Sequence, residues 1–167
     1  MHASKEPSAR RTPSSDRAWL QDLRRRVELE LCSNILPFWL KYAIDAEFGG
    51  FRGLITNDLV IDPLAPKGLV LNARILWTFS KAYSVYGEDA YLDTARRAYD
   101  YLVEHFWDAD FGGVYWMLDH RGSPLDRKKR IYGQAFTIYA LAEYHSATAE
   151  ADPLERDRKS TRLNSSH

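Results

Sequence analysis

Cysteine is almost missing from this chain of 167 residues: Cys32 stands alone, so no internal disulfide can form. Histidine and cysteine never fall at the spacing of a metal site. Net charge is missing too. The 23 basic residues are matched by 23 acidic ones, which leaves no electrostatic footprint for nucleic acid or an anionic membrane. No apolar run reaches membrane-spanning length, and the opening stretch "MHASKEPSARRTPSSD" lacks the apolar core of a secretory signal. Together these absences predict a cytoplasmic protein with no metal, no nucleic-acid partner and no membrane partner.

What is present is the length of one modest domain and an aromatic content of 13%, with ten Tyr and five Trp. Residues 1–15 read as a disordered leader, or as a start assigned too early. At the other end the helical pattern stops after Pro153. The stretch 157–167, "DRKSTRLNSSH", matches one translated frame of a common sequencing adapter. The expectation is a non-native or disordered tail over 151–167 with a scar at 157–167, the alternative being a natural polar tail. The folded part is then expected over 16–150.

The first helix is expected to start at Ser15 or Asp16, either of which can cap it. Leu20, Leu23, Val27 and Leu31 form its apolar stripe. Pro37 in "ILPFW" marks its end or a kink. "FRGLITNDLVIDP" reads as a hairpin about "ND". A second helix runs from Gly68 to Tyr86, stopped by Gly87, and is apolar on nearly every side. An amphipathic helix over 89–106 follows, then a hairpin turning at "RG" in "VYWMLDHRGSPLD". A fourth helix over 131–149 is again apolar on most sides.

Two corners read almost alike, "DAEFGGF" at 45–51 and "DADFGGV" at 108–114. A shift of 62 or 63 positions also lays "NARILWTFSKAYS" on "GQAFTIYALAEYHS", with Trp77 on Tyr139 and Phe79 on Leu141. Each repeat is an outer amphipathic helix, a Gly-Gly corner, a hairpin and a buried helix. Periods of this size indicate stacked helical hairpins, and the alternation predicts an all-α ring whose inner helices line a central cavity.

Several residues invite chemistry. Asp45 with Glu47, and Asp108 with Asp110, are paired carboxylates of the kind that run glycoside hydrolysis. An Asp beside Gly-Gly also satisfies turn amides, which explains both residues and their repetition. Arg74 sits within an apolar helix, and a buried guanidinium needs oxygen-rich partners. Two readings stand for it: it holds sugar hydroxyls or a developing oxyanion, or it ties structural groups together. Tyr132 and Phe136 share a helix face that can stack on a sugar ring or serve as core. His105, His120 and His145 have no ligand-like spacing. "RKKR" at 127–130 reads as a solvated linker.

"ILPFW", "EFGGFRG", "NARILWTFSKAY", "FGGVYWMLDHRGSPLD" and "YGQAFTIYALAEY", in this order, resemble the N-terminal part of the N-acylglucosamine 2-epimerase family, most of all its cellobiose 2-epimerase branch. The resemblance implies an (α/α)6 barrel of twelve helices, of which this chain holds the first four, with short β-hairpins in the loops. It implies a sugar substrate epimerised at C2 through an enediolate, with no metal and no organic cofactor. Arg74 matches the family's active-site arginine and Tyr132 an aromatic position that contacts the sugar; Phe136, which shares the Tyr132 helix face, is a further candidate for binding it. The acid and base histidines belong to later helices, and no position here matches them. The chain alone is therefore expected to be inactive and poorly soluble. An aldose–ketose isomerase of the same fold, or a non-catalytic carbohydrate- or protein-binding module, are the alternatives. The oligomeric state is not implied.

Overall fold

The computed structural model describes residues 13–148. The expected leader as far as residue 12, and the expected tail over 151–167, lie outside the described residues. The chain divides into two compact units between Lys41 and Tyr42.

In the first unit, α1 (Pro13–Glu30) carries the expected stripe, yet Leu20 and Val27 stay exposed. Helical structure does not end at Pro37. It continues through a π turn (Leu31–Ile35), the short α2 (Leu36–Phe38) and a second π turn (Trp39–Ala43). Pro37 lies inside this continuous run, without the N–H that would bond back to the preceding turn. The π turns on either side mark the local widening of the helix around it.

The second unit follows the predicted order. A hairpin pairs β1 (Leu54–Ile55) with β2 (Ile61–Asp62) around a turn in which the Leu59 N–H donates to the Thr56 carbonyl at 3.0 Å. Next comes β3 (Lys67–Gly68), a strand too short to leave any period in the sequence. It pairs antiparallel with β4 (Met117–Leu118), which pairs with β5 (Pro124–Asp126) across the "RG" turn. Helix α3 (Leu69–Tyr86) ends on Gly87, whose φ of 71° is the left-handed cap that its lack of a side chain allows. Helix α4 (Asp89–Tyr101) runs into a π turn (Leu102–Phe106), and α5 (Ile131–Thr148) closes the described part.

The core of this unit lies between α3 and its two neighbours, α4 and α5. Leu69, Leu76, Phe79, Leu102, Phe106 and Leu118 are all but fully buried within it. Burial of a Leu or Phe side chain contributes about 1.5–3 kcal/mol, so these residues carry much of the unit's stability. As expected, the described residues are dominated by helices; the strands are short, two hairpins with β3 added to the second.

The two Gly-Gly corners share a backbone and differ in surroundings. Gly50 has φ of 59°, and a methyl there would meet Tyr101 ring carbons at 2.6 Å. A methyl on its counterpart Gly113 would meet Gln134 Oε1 at 2.9 Å, whereas Gly112, the counterpart of Gly49, has φ of 67° with nothing within 4 Å. Gly112→Ala is thus expected to cost only the left-handed backbone term, about 1–2 kcal/mol. Gly50→Ala adds about 1–3 kcal/mol of overpacking, so thermal melts should show the larger drop for Gly50.

Candidate functional site

Each corner is built on its first carboxylate. Asp45 Oδ1 accepts from the Glu47 and Phe48 N–H groups at 3.1 Å, and Asp108 Oδ1 accepts from Asp110 and Phe111 at 3.1 Å. The second oxygen of each takes a lysine: Lys67 Nζ reaches Asp45 Oδ2 at 2.7 Å, and Lys129 Nζ reaches Asp108 Oδ2 at 2.7 Å. With both oxygens engaged, the acids serve the turn and the clamp. This is the structural of their two roles, and the arrangement leaves them unsuited to glycoside hydrolysis.

The first clamp is the more buried. Lys67 also donates to the Gly49 carbonyl at 2.6 Å and lies over the Tyr101 ring at 5.1 Å. Burial pushes the Asp45 carboxyl up, but the Lys67 hydrogen bond and the two turn amides outweigh it, and the net shift is downward. Burial lowers Lys67 despite its partner. The Tyr101 phenol is pushed up to about 12, first by burial and then by the charges of Asp45 and Asp119. At the second corner the Lys129 hydrogen bond leads in lowering Asp108.

These clamps hold the segments that lead into α3 and α5. Lys67 lies in β3, next to the first turn of α3, and the Leu69 N–H donates to the Trp116 carbonyl at 3.1 Å. Lys129 lies two residues before the start of α5. Gln134, in the first turn of α5, accepts from Val114 N–H at 3.0 Å and donates to its carbonyl at 2.8 Å, standing in for a paired strand.

From those starts, α3 and α5 meet along an open side. The Arg74 guanidinium carbon lies 5.1 Å from the Phe136 ring centroid, and Tyr132 packs on Phe136 with centroids 4.8 Å apart. The three predicted site residues are therefore brought together. Arg74 departs from expectation in one respect: it is exposed, not buried. Its side of α3 faces away from the core, and a composition that is apolar around most of a helix does not reveal which side stays open. At an exposed site the contact with Phe136 contributes about 0.5–1 kcal/mol, whereas a hydrogen bond to a charged group contributes about 1.5–3 kcal/mol. An oxygen-rich ligand would thus outcompete the ring for the guanidinium.

Deeper along the same side, Trp77 stacks on Tyr139 at 5.4 Å and 16°, and Lys81 pairs with Glu143 at 3.3 Å. Each of the three contacts joins residues 62 positions apart. The repeat shift was legible in the sequence, and the opposite charges at 81 and 143 were a signal that sequence reasoning missed. The lysines of the two clamps, also 62 apart, were another.

The remaining candidates are engaged elsewhere. His105 packs on Tyr101 at 4.4 Å and His120 meets Phe48 edge-on at 5.0 Å. The basic run at 127–130 is less free than a solvated linker: Arg127 lies over Tyr115, Lys129 over Phe111 and Arg130 over Trp116. Among the described residues no group of three or more His, Cys, Asp or Glu side chains is placed to hold a metal ion, and no helix is long and apolar enough to cross a membrane.

Comparison with known proteins gives this geometry a context. A cellobiose 2-epimerase of Bacteroides fragilis is 49% identical over 132 residues, covering 79% of this chain and 34% of that protein. The solved structure of cellobiose 2-epimerase from Spirochaeta thermophila superposes with a TM-score of 0.81 at 42% identity, over 90% of this chain and 37% of that one. A D-mannose isomerase structure is similar at a TM-score of 0.65 and 27% identity, over 79% of this chain and 33% of that one. The chain spans about a third of the length of the curated relatives it matches. The model of the N-acylglucosamine 2-epimerase family matches residues 49–163, from the first Gly-Gly corner through α3, α4 and α5, and the chain belongs to that family.

Proposed function

We propose that this chain is the N-terminal portion of a carbohydrate 2-epimerase, an incomplete (α/α)6 barrel that supplies one wall of a sugar site. The observation that carries this reading is Arg74 held over Phe136 beside Tyr132, on the open side shared by α3 and α5. The substrate is a disaccharide such as cellobiose, bound by its reducing-end glucose. A base removes the C2 proton, the electron pair moves toward the C1 carbonyl to give an enediolate, and a proton returns to the opposite face of C2. Arg74 binds sugar oxygens and steadies the charge that develops on them. Tyr132 and Phe136 stack on the ring. The acid and base histidines are supplied by later helices, so the chain alone is inactive. A cytoplasmic setting belongs to the same proposal.

The test is a chimera in which this chain replaces the matching third of the Bacteroides fragilis enzyme. Incubated with cellobiose, it should yield the disaccharide with mannose at its reducing end. A folded chimera that leaves cellobiose unchanged would overturn the reading. The likeness to D-mannose isomerase favours a second reading, aldose–ketose isomerisation, in which the proton returns to C1 and the product is a ketose.

A further inference from the structure

Helices α3 and α5 are counterparts, yet their starts are held by different means. Strand pairing leads into α3: Lys67 and Gly68 pair with Leu118 and Met117, and the Leu69 N–H carries the pattern on to Trp116. No strand leads into α5, which follows β5 through residues 127–130. One side chain ties its first turn to the second corner instead. Gln134 engages both backbone groups of Val114 with the two ends of its amide, at 3.0 and 2.8 Å, and Val114 is buried. The corner is shaped around that amide, since a methyl on Gly113 would fall 2.9 Å from Gln134 Oε1. The α3 counterpart is Asn72, 62 positions earlier and one methylene shorter. Its amide turns back to the Gly68 carbonyl at 2.9 Å, and its Oδ1 has no partner among the described residues. The long amide thus belongs to the helix that lacks a strand.

From this contrast we infer that Gln134 is a positioning residue for the sugar site: it sets the rotation of α5 about its own axis, and so the presentation of Tyr132 and Phe136. Both rings lie two residues from it, a turn of about 200° at 3.6 residues per turn. The amide therefore pins the side of α5 opposite the one that carries the rings. Side chains reach about 5–6 Å from a helix axis, so a rotation of about 10° would carry the rings about 1 Å. A displacement of about 1 Å in a site can cost up to about 10²-fold in rate. The neighbouring contacts constrain rotation less. Gly133 lies against the apolar Leu69 and Trp116 side chains, and Lys129 reaches Asp108 through a flexible stem. Two hydrogen bonds from one planar amide are directional where those contacts are not. The role rests on Tyr132 and Phe136 facing the sugar, as proposed above, and adds the residue that holds that aromatic wall in place.

The test uses the chimera with the Bacteroides fragilis enzyme, assayed well below the melting temperature of each variant. Gln134→Met keeps the length of the side chain and removes both hydrogen bonds. Rings that grip the sugar alike in ground and transition states act on KM, so KM for cellobiose should rise about 10-fold with kcat changed less than about threefold. Gln134→Asn, the same amide one methylene shorter, leaves room for a water, spares the fold and should lose as much. Gly112→Ala is the control for stability alone: it should lower the melting temperature and leave both constants unchanged. An active chimera whose KM ignores both Gln134 variants, or whose losses follow melting temperature, overturns the role and leaves the sugar reading standing. Crystal structures of the parent and Gln134→Asn chimeras give a readout that needs no activity. The Phe136 ring, 5.1 Å from the Arg74 guanidinium carbon, should shift by about 1 Å, the displacement expected of the rotation. An unmoved ring overturns the role. A moved ring in a chimera that leaves cellobiose unchanged upholds the pin on α5 and counts against the functional reading.

Discussion

Arg74→Met in the chimera is expected to lower kcat for cellobiose by about 10²- to 10³-fold, the cost of removing one donor aimed at a developing oxyanion. Methionine keeps much of the stem that packs along α3 and removes only the charged fork. The pattern of the loss separates two roles. A guanidinium that grips sugar hydroxyls equally in ground and transition states raises KM and leaves kcat. One that steadies the enediolate lowers kcat and kcat/KM together. Arg74→Lys restores the charge without the planar fork, so recovery should be partial. An Arg74→Met chimera with unaltered kcat and KM would remove Arg74 from the site.

Lys67→Met is the second large effect, and it falls on stability. The ammonium and its Asp45 partner are 1% and 4% exposed, and removing one member of a buried pair costs about 3–5 kcal/mol. Most small domains hold only about 5–15 kcal/mol, so denaturant titration should show a loss of about a fifth or more. Asp45→Asn keeps an oxygen for the Glu47 and Phe48 amides and removes the charge, so the double variant should recover part of that loss. Acid should act on the same groups. Asp45, Asp108 and Asp119 all titrate below the ordinary carboxylate value in the folded chain. Their stabilisation is fully present above the unfolded value, about pH 4, and is lost as pH falls through the lower folded values. Melting temperatures should drop steeply below pH 4, and Asp45→Asn should flatten that slope.

Much of this arrangement could be read from the residues in advance. The corner aspartates announced their turns, because Asp beside Gly-Gly has few other uses, and Gly87 marked the end of α3. The first hairpin declared itself through β-branched and aromatic residues around "ND", the second through its turn at "RG". What escaped was whatever depends on distant partners. The two-residue strand β3 exists because β4 pairs with it, and no local period records that. Lys67 looks like any surface lysine until Asp45, 22 positions earlier, is folded beneath it. Arg74 was the instructive error: its neighbours in sequence are apolar because α3 is buried on two sides, and its own side is the one left to solvent.

At three places the seam between α3 and α5 joins a residue to its own counterpart in the other repeat, 74 to 136, 77 to 139 and 81 to 143. Two identical hairpins could not form it. Lysine would oppose lysine at the third rung and guanidinium would oppose guanidinium at the first, whereas the aromatic rung would tolerate sameness. Kinship between the two halves is thus bounded by electrostatics: the repeats can remain alike where they stack, and must differ where they carry charge.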